Sequence, residues 1–248
     1  MKQKKRLDLF IGQQHVALSR SYIQSLIMQG KVSINGVVNS KSGFLVTDVD
    51  QIEIKWPIVT YVSRAGLKLE KALRYFEINV QDLVALDAGI STGGFSDCLL
   101  QHGAQRIYGV DVGYGQLHEK LRIDPRVILI ERTNLRYLDS LPEQVDLVTL
   151  DLSFISVLKV IDTVKRFLKP SGTLIILIKP QFEARKEQVG RGGIIRDAQV
   201  HQEAIERVVS GVQDQGLLCQ GITESPITGT DGNKEFLAFF LYKKGVGQ

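Results

Sequence analysis

Five short apolar runs, each closing on a polar residue, set the rhythm of this chain. Residues 83–86 lead into Asp87, Arg106–Val110 into Asp111 and Val127–Ile130 into Glu131. Val145–Leu150 leads into Asp151, and residues 173–178 lead into Lys179-Pro180. Runs of this length read as strands buried on both faces. The stretches between them carry helical spacing. In RAGLKLEKALRYF, Leu69, Ala72, Leu73 and Phe76 form one apolar stripe, with Ser63 as the predicted N-cap. An amphipathic segment also begins at Phe95. Strands alternating with helices predict a mainly parallel, doubly wound α/β sheet of the Rossmann-like type. Residues 217–222 and 235–242, joined by SPITGTDGN, predict a final antiparallel pair.

Residues 7–55 follow another rhythm. A helix opens at 7–9, and a second runs over 20–29, with Ser19 as its cap and Gly30 as its stop. Residues 31–34 and 37–38 flank Asn35-Gly36, a strong hairpin signal, and 49–54 alternate as a further strand. Pro57 cannot extend that strand. The predicted organisation is therefore a small domain over 1–55, a linker over 56–62 and the α/β domain over 63–248. The order helix, Ser-Arg helix, glycine stop, strand, Asn-Gly, strand resembles the α-L RNA-binding module named for ribosomal protein S four. That resemblance implies RNA contacts at Arg20, Lys31 and Lys41. Because the second helix holds a single cation, the tail residues Lys4, Lys5 and Arg6 are expected to add to the grip. A small basic domain that docks protein is the competing reading.

Charge changes the picture of the first domain alone. The net charge is +4 over 248 residues, and residues 1–62 carry eight Lys and Arg against four acids. The rest of the chain balances, so the excess lies on the N-terminal quarter, a footprint for a polyanion. Hydrophobic residues make up 44% of the chain, enough for a well-buried core. The longest apolar runs fall far short of the ~20 residues that span a bilayer, so no membrane partner is expected. MKQKKRLDLF has no apolar leader segment. Cys98, Cys219 and four scattered histidines offer neither a disulfide framework nor metal-ligand spacing, so no metal is expected. A cytoplasmic protein, monomeric by expectation, follows.

The candidate chemistry gathers on LVALDAGISTGGFSDCLL, a strand, a glycine turn and a helix start. Its Asp-x-Gly-x-x-x-Gly spacing differs from the Gly-x-Gly-x-x-Gly of dinucleotide sites. A carboxylate at a strand tip repels phosphate, whereas an amino-acid cofactor with a cationic centre suits it, and S-adenosylmethionine is the predicted ligand. Asp87, Gly89, Ser91, Thr92, Gly93, Gly94 and Phe95 would surround its amino-acid end. Asp111, 24 positions after Asp87, would take the ribose hydroxyls, with Val112 and Asn134 at neighbouring strand ends. A purely structural glycine turn remains the alternative. Asp151 and Lys179 each follow a strongly apolar strand, and a lysine so placed needs a partner such as Asp151. The pair reads either as a structural ion pair or as chemistry. Lys68 alone reads as a solvated helix lysine, and Glu235 reads equally as an exposed edge acid.

YVSRAGLKLEKAL, LDAGISTGGFSDCLLQHGA, VDVGYGQLHEKLRIDPRV, ERTNLR, DLSFIS, LIKPQFEARKEQVGRGGIIRD and SPITGTDGNKEF together are very similar to the TlyA family. Members of that family join an α-L domain to an FtsJ-like methyltransferase domain. The resemblance implies an S-adenosylmethionine-dependent ribosomal RNA methyltransferase acting on a cytidine ribose 2′-oxygen. It also implies a Lys-Asp-Lys-Glu tetrad, matched here by Lys68, Asp151, Lys179 and Glu235. Lys179 would act as general base and Asp151 would orient it, while Lys68 and Glu235 would align the hydroxyl. Ala65 and the Trp-Pro linker depart from the family pattern at the join between domains. Residues 181–196, with Arg185, Lys186 and Arg191, read as an RNA-contacting flap or as an ordinary loop, and Arg64 is a further candidate contact. The short chain favours the large ribosomal subunit as substrate. A silent RNA-binding assembly factor, a membrane-active haemolysin and a nicotinamide-dependent oxidoreductase are the rival functions.

Overall fold

The structure, a computed structural model, describes residues 4–15, 20–55, 60–229 and 231–243, apart from the side chains of Ser21, Tyr22 and Arg191. Ser19 and most of the expected linker lie outside the described residues. The chain divides into two compact units, Met1–Ile58 and Val59–Gln248.

In the first unit, β1 (Lys5–Arg6) leads into α1 (Leu7–Gln14), and α2 (Arg20–Met28) follows. Then come β2 (Val32–Ile34), β3 (Val37–Val38), β4 (Leu45–Val46) and β5 (Ile52–Ile54). Asn35 and Gly36 both take positive φ, 51° and 80°, which matches the twist a two-residue hairpin requires. β3, β2 and β5 form one antiparallel sheet, while β1 pairs with β4. The strand expected over 49–54 is shorter, because Asp50 accepts from the Thr47 amide and hydroxyl and turns the chain there. Leu7, Ile11, Ile23, Ile27, Val32 and Val46 close the core between the helices and strands.

The second unit opens with α3 (Ala65–Tyr75), β6 (Val84–Ala88), α4 (Gly94–Gln101) and β7 (Arg106–Val110). α5 (Glu119–Arg122), β8 (Val127–Ile130), β9 (Val145–Leu150) and α6 (Ile161–Phe167) follow. The unit continues through β10 (Leu168–Ile178), α7 (Pro180–Glu183), α8 (Ala198–Gln213), β11 (Leu217–Glu224) and β12 (Phe236–Tyr242). Seven strands form one sheet in the order β11-β12-β10-β9-β6-β7-β8. All pairings among β6 to β10 are parallel, and β12 alone runs the other way. The order reverses between β6 and β9, and at such a switch point the carboxyl ends of the strands leave a crevice.

Period-two alternation divides the strands between two cores. Leu174, Ile176 and Ile178 pack with Leu86, Leu150, Ile161 and Val208 on one face. Ile175 and Leu177 pack with Ala85, Leu69, Leu99 and Leu121 on the other. Two expectations change here. Ser63 does not cap α3: Arg64 holds the N-cap position in helical conformation with no side-chain cap. The Ser63 hydroxyl is instead buried without a partner. β6 also runs on through Asp87 to Ala88 rather than ending before it. No helix of the described residues is long and apolar enough to cross a membrane.

Candidate active site

The turn after β6 is built by backbone conformations that few side chains tolerate. Gly89 has φ +84°, and a methyl group placed on it would lie 2.5 Å from the Asp151 carbonyl oxygen. Ser91 (φ 47°) and Gly93 (φ 92°) turn the chain again into α4. The tip of β7 is tied to this turn, since Asp111 accepts from the Ser91 amide (2.9 Å) and the Gly113 amide (2.7 Å). Thr92 and Val112 are exposed beside it. Asn134 Oδ1 caps the next turn by accepting from the Arg136 amide at 3.0 Å. Gly94 is buried, and the Phe95 ring is part of the core.

Asp87 differs from expectation. It does not stand open at the strand tip but is fully buried beneath α4. It accepts from the Ser96 hydroxyl at 2.6 Å and the Thr149 hydroxyl at 3.0 Å. Burial pushes its carboxyl up to about 6, against those two bonds and with the help of the Asp151 charge. Its contacts make it a brace between β6, β9 and α4.

Two lysine–carboxylate pairs lie at this sheet edge, one of them next to the turn. Asp151 leaves β9 with its amide on the Ala88 carbonyl (3.0 Å), which fixes it next to the glycine turn. Lys179 leaves β10, and its Nζ lies 2.7 Å from Asp151 Oδ1. That contact is off the hydrogen-bond direction, for Asp151 Oδ1 has no aligned donor. The aligned bond from Lys179 Nζ goes to the Ser153 hydroxyl, 2.9 Å away. Ile178 faces Phe236 across β10 and β12, so Lys179 and Glu235 flank the same register position at one sheet edge. Glu235 reaches α3, where Lys68 Nζ donates to Oε2 at 2.5 Å. Both side chains are almost closed to solvent, at 10% and 3% exposure. Gly229 leaves the room Glu235 needs, because a methyl there would sit 2.5 Å from Oε1. Lysines so buried persist because each faces a carboxylate.

The rim contains aromatic residues that no sequence pattern singles out. Phe154 is 91% exposed with φ 65°, its ring 5.2 Å from that of Phe182. Arg132 stacks on Tyr114 at 4.1 Å. Residues 181–196 are anchored at two points. Glu183 is buried and accepts from the Ser156 hydroxyl and the Val157 amide. Asn233 accepts from the Ile195 amide and donates to the Gly193 carbonyl. Between the anchors, Arg185 and Lys186 are exposed, as is Arg64 at the start of α3.

In the first unit, the expected cations are not equally free. Lys4, Lys31 and Lys41 are exposed, and Lys5 donates to Gln13. Arg6 and Arg20 both pair with the buried Asp8, which also accepts from Gln24. The Arg6 bonds, with those of Gln24 and Arg20, hold the Asp8 carboxyl well below the usual carboxylate range against the effect of burial. Among the described residues no cluster of His, Cys, Asp or Glu could hold a metal ion.

Comparison with known proteins agrees in both units. Residues 61–242 match the family described as FtsJ-like methyltransferase, and residues 5–52 match the S4 domain. The chain is 43% identical over 249 residues to YqxC of Bacillus subtilis, named as a candidate rRNA methyltransferase, covering 99% of this chain and 88% of that one. It is 39% identical to the 16S/23S rRNA (cytidine-2'-O)-methyltransferase TlyA of Mycobacterium tuberculosis, covering 95% of this chain and 89% of that one. A solved structure from Streptococcus thermophilus, named as a candidate hemolysin, superposes with a TM-score of 0.77 at 38% identity. It covers 98% of this chain and 90% of that one.

Proposed function

Because the chain belongs to the TlyA family of FtsJ-like methyltransferases, we propose that it methylates a cytidine ribose 2′-hydroxyl of ribosomal RNA, with S-adenosylmethionine as donor. One observation carries the reading to these residues: the Asp151–Lys179 pair adjoins the glycine turn, and the buried Lys68–Glu235 pair lies at the same sheet edge.

The donor set suits such a cofactor. No Lys or Arg lies in residues 87–95 to hold a pyrophosphate, while the carboxylates of Asp111 and Asp151 border the turn. Asp111 keeps lone pairs for ribose hydroxyls, and the amides at the start of α4 face a carboxylate. When bound, S-adenosylmethionine supplies an activated methyl group on a sulfonium sulfur. The chain supplies alignment and proton transfer. A ribose hydroxyl is a feeble nucleophile until its proton is taken, and Lys179 Nζ is the acceptor. Asp151 fixes the lysine, and the Lys68–Glu235 pair brings the hydroxyl into line. Alignment of this kind is worth several orders of magnitude in rate. The S4 domain holds the RNA through Lys4, Lys5, Lys31 and Lys41. Arg6 and Arg20 act there with Asp8 bound between them. Arg64, Arg185, Lys186 and Arg191 add contacts on the catalytic unit, and the exposed Phe154 ring offers a face to a base. The protein works in the cytoplasm, where ribosomal subunits assemble.

The test is transfer of tritiated methyl from S-adenosylmethionine to isolated large and small subunits lacking the modification, followed by mapping of ribose methylation. Labelling at a cytidine 2′-oxygen is the expected result. Absence of label on both subunits would overturn the reading.

A further inference from the structure

We propose that Ser153 is a positioning residue for Lys179, holding one N–H of its amine so that the lone pair is turned towards the incoming ribose hydroxyl. The inference rests on the reading of Lys179 as the group that takes the hydroxyl proton.

An uncharged lysine amine has two N–H bonds and one lone pair, set tetrahedrally about Nζ with the Cε bond. Two acceptors lie within reach of Lys179 Nζ, Ser153 Oγ at 2.9 Å and Asp151 Oδ1 at 2.7 Å. With one N–H on Ser153, and with the Asp151 carboxylate repelling a lone pair from its own side, the lone pair is turned to the remaining open direction. The two are not equivalent. The Asp151 oxygen lies off the hydrogen-bond direction and has no aligned donor, so it fixes charge and distance more than angle. Ser153 receives the aligned bond and therefore sets the rotation about Cε–Nζ. Without it the amine is free to turn about that bond, and the lone pair sweeps away from the substrate.

Ser153 itself is held from both sides. The Asp151 amide is on the Ala88 carbonyl at one end of its loop. At the other end Ser156 and Val157 both donate to the buried Glu183. The next residue, Phe154, adopts φ 65°, a conformation that a non-glycine residue keeps only where its surroundings enforce it. Here Phe182 lies against the ring, on the same short helix as Glu183. A surface serine with no duty would not need a loop so constrained. The proton balance is simple. The 2′-O–H bond breaks and its proton lands on Lys179 Nζ. The O–CH3 bond forms as the methyl–sulfur bond breaks, and that electron pair stays on sulfur. The resulting ammonium then has three N–H bonds, one of which remains on Ser153, and its charge is met by the Asp151 carboxylate. Lys68 and Glu235, the neighbouring pair at this edge, engage one another and leave the lysine's orientation to its own partners.

The test compares the full chain with its Ser153→Ala and Ser153→Thr variants on isolated ribosomal subunits. Ser153→Ala should lower kcat by about tenfold while the KM for RNA and the Kd for S-adenosylmethionine stay as they were. Ser153→Thr, which keeps the hydroxyl, should restore most of that kcat. A Ser153→Ala variant with unaltered kcat would overturn the proposal, and so would a loss that appears in KM or in the melting temperature instead. If the unsubstituted chain labels neither subunit, the functional reading falls first, which separates that failure from this one.

Discussion

Lys68 and Glu235 stand 167 residues apart in the chain, yet their side chains meet at 2.5 Å in a space almost closed to water. Each charge is tolerable because the other is there. Removing one alone strands the other, which typically costs about 3–5 kcal/mol. Lys68→Ala is therefore expected to lower stability by that order, read from urea unfolding followed by circular dichroism. The double variant Lys68→Met, Glu235→Leu should regain most of the loss. Both proteins should transfer no methyl group, which separates the folding role of the pair from its chemical one.

Lys179 is expected to matter to chemistry and not to cofactor affinity. Lys179→Ala should reduce methyl transfer by at least about 100-fold, the lower end for loss of a general base. Calorimetry should find S-adenosylmethionine bound as before, since Asp111 and the glycine turn are untouched. Lys179→Arg should not recover activity, because a guanidinium does not release its proton.

Two buried carboxyls give opposite pH signatures. Asp87 is pushed up to about 6 by burial, whereas an unfolded aspartate ionises near about 4. Between those values the folded state holds a proton that the unfolded chain has lost. Stability of the catalytic unit should therefore fall as pH rises from 4 to beyond 6. Asp87→Asn removes that slope. Its stability relative to the parent chain should rise by an amount on the order of 3 kcal/mol between pH 4 and pH 7. Asp8 has the reverse sign, because Arg6, Gln24 and Arg20 favour its ionised form. Its contribution is complete above about pH 4 and disappears as pH falls further. Unfolding series at stepped pH, with Asp8→Asn and Asp87→Asn compared, check both directions.

Phe154 offers a clean separation of folding from binding. With 91% of its surface exposed, it contributes little to the core. Phe154→Ala should leave the melting temperature close to that of the parent chain. Methylation of subunits should fall by about tenfold or more, in keeping with ~1–3 kcal/mol for a base stacked on an aromatic ring. Equal activity in the two proteins would remove Phe154 from the substrate site.

The strands were the most legible part of the sequence. Runs such as DLVTL and TLIILI are apolar on both faces, and the polar residue that ends each one marks the sheet edge. That logic also pairs Asp151 with Lys179, for a lysine at such an edge needs a carboxylate. The Lys68–Glu235 contact was not legible from residue types, because it depends on how α3 lies against β12. The inward turn of Asp87 has a physical reason. In a strand buried on both faces nothing in the pattern says which way a side chain near the strand's end is drawn, and Asp87 accepts from Ser96 and Thr149 in the interior. Ser153 and Phe154 sit in a loop without periodicity, so only coordinates reveal the amine that one holds and the surface that the other exposes. The β1–β4 pairing leaves no trace in the sequence, because two-residue strands have no period to detect.

β12 is the last strand in chain order among the described residues, yet it lies inside the sheet, between β10 and β11. Insertion of a late strand into an interior slot delays closure of the sheet until synthesis has passed residue 242. Glu235 arrives with that strand. A shortened chain that stops before it would keep the glycine turn, Asp151 and Lys179, but would expose the flank of β10 and leave Lys68 unanswered. Such a fragment is expected to transfer no methyl group, because the Glu235 carboxylate that answers Lys68 enters the sheet only with β12.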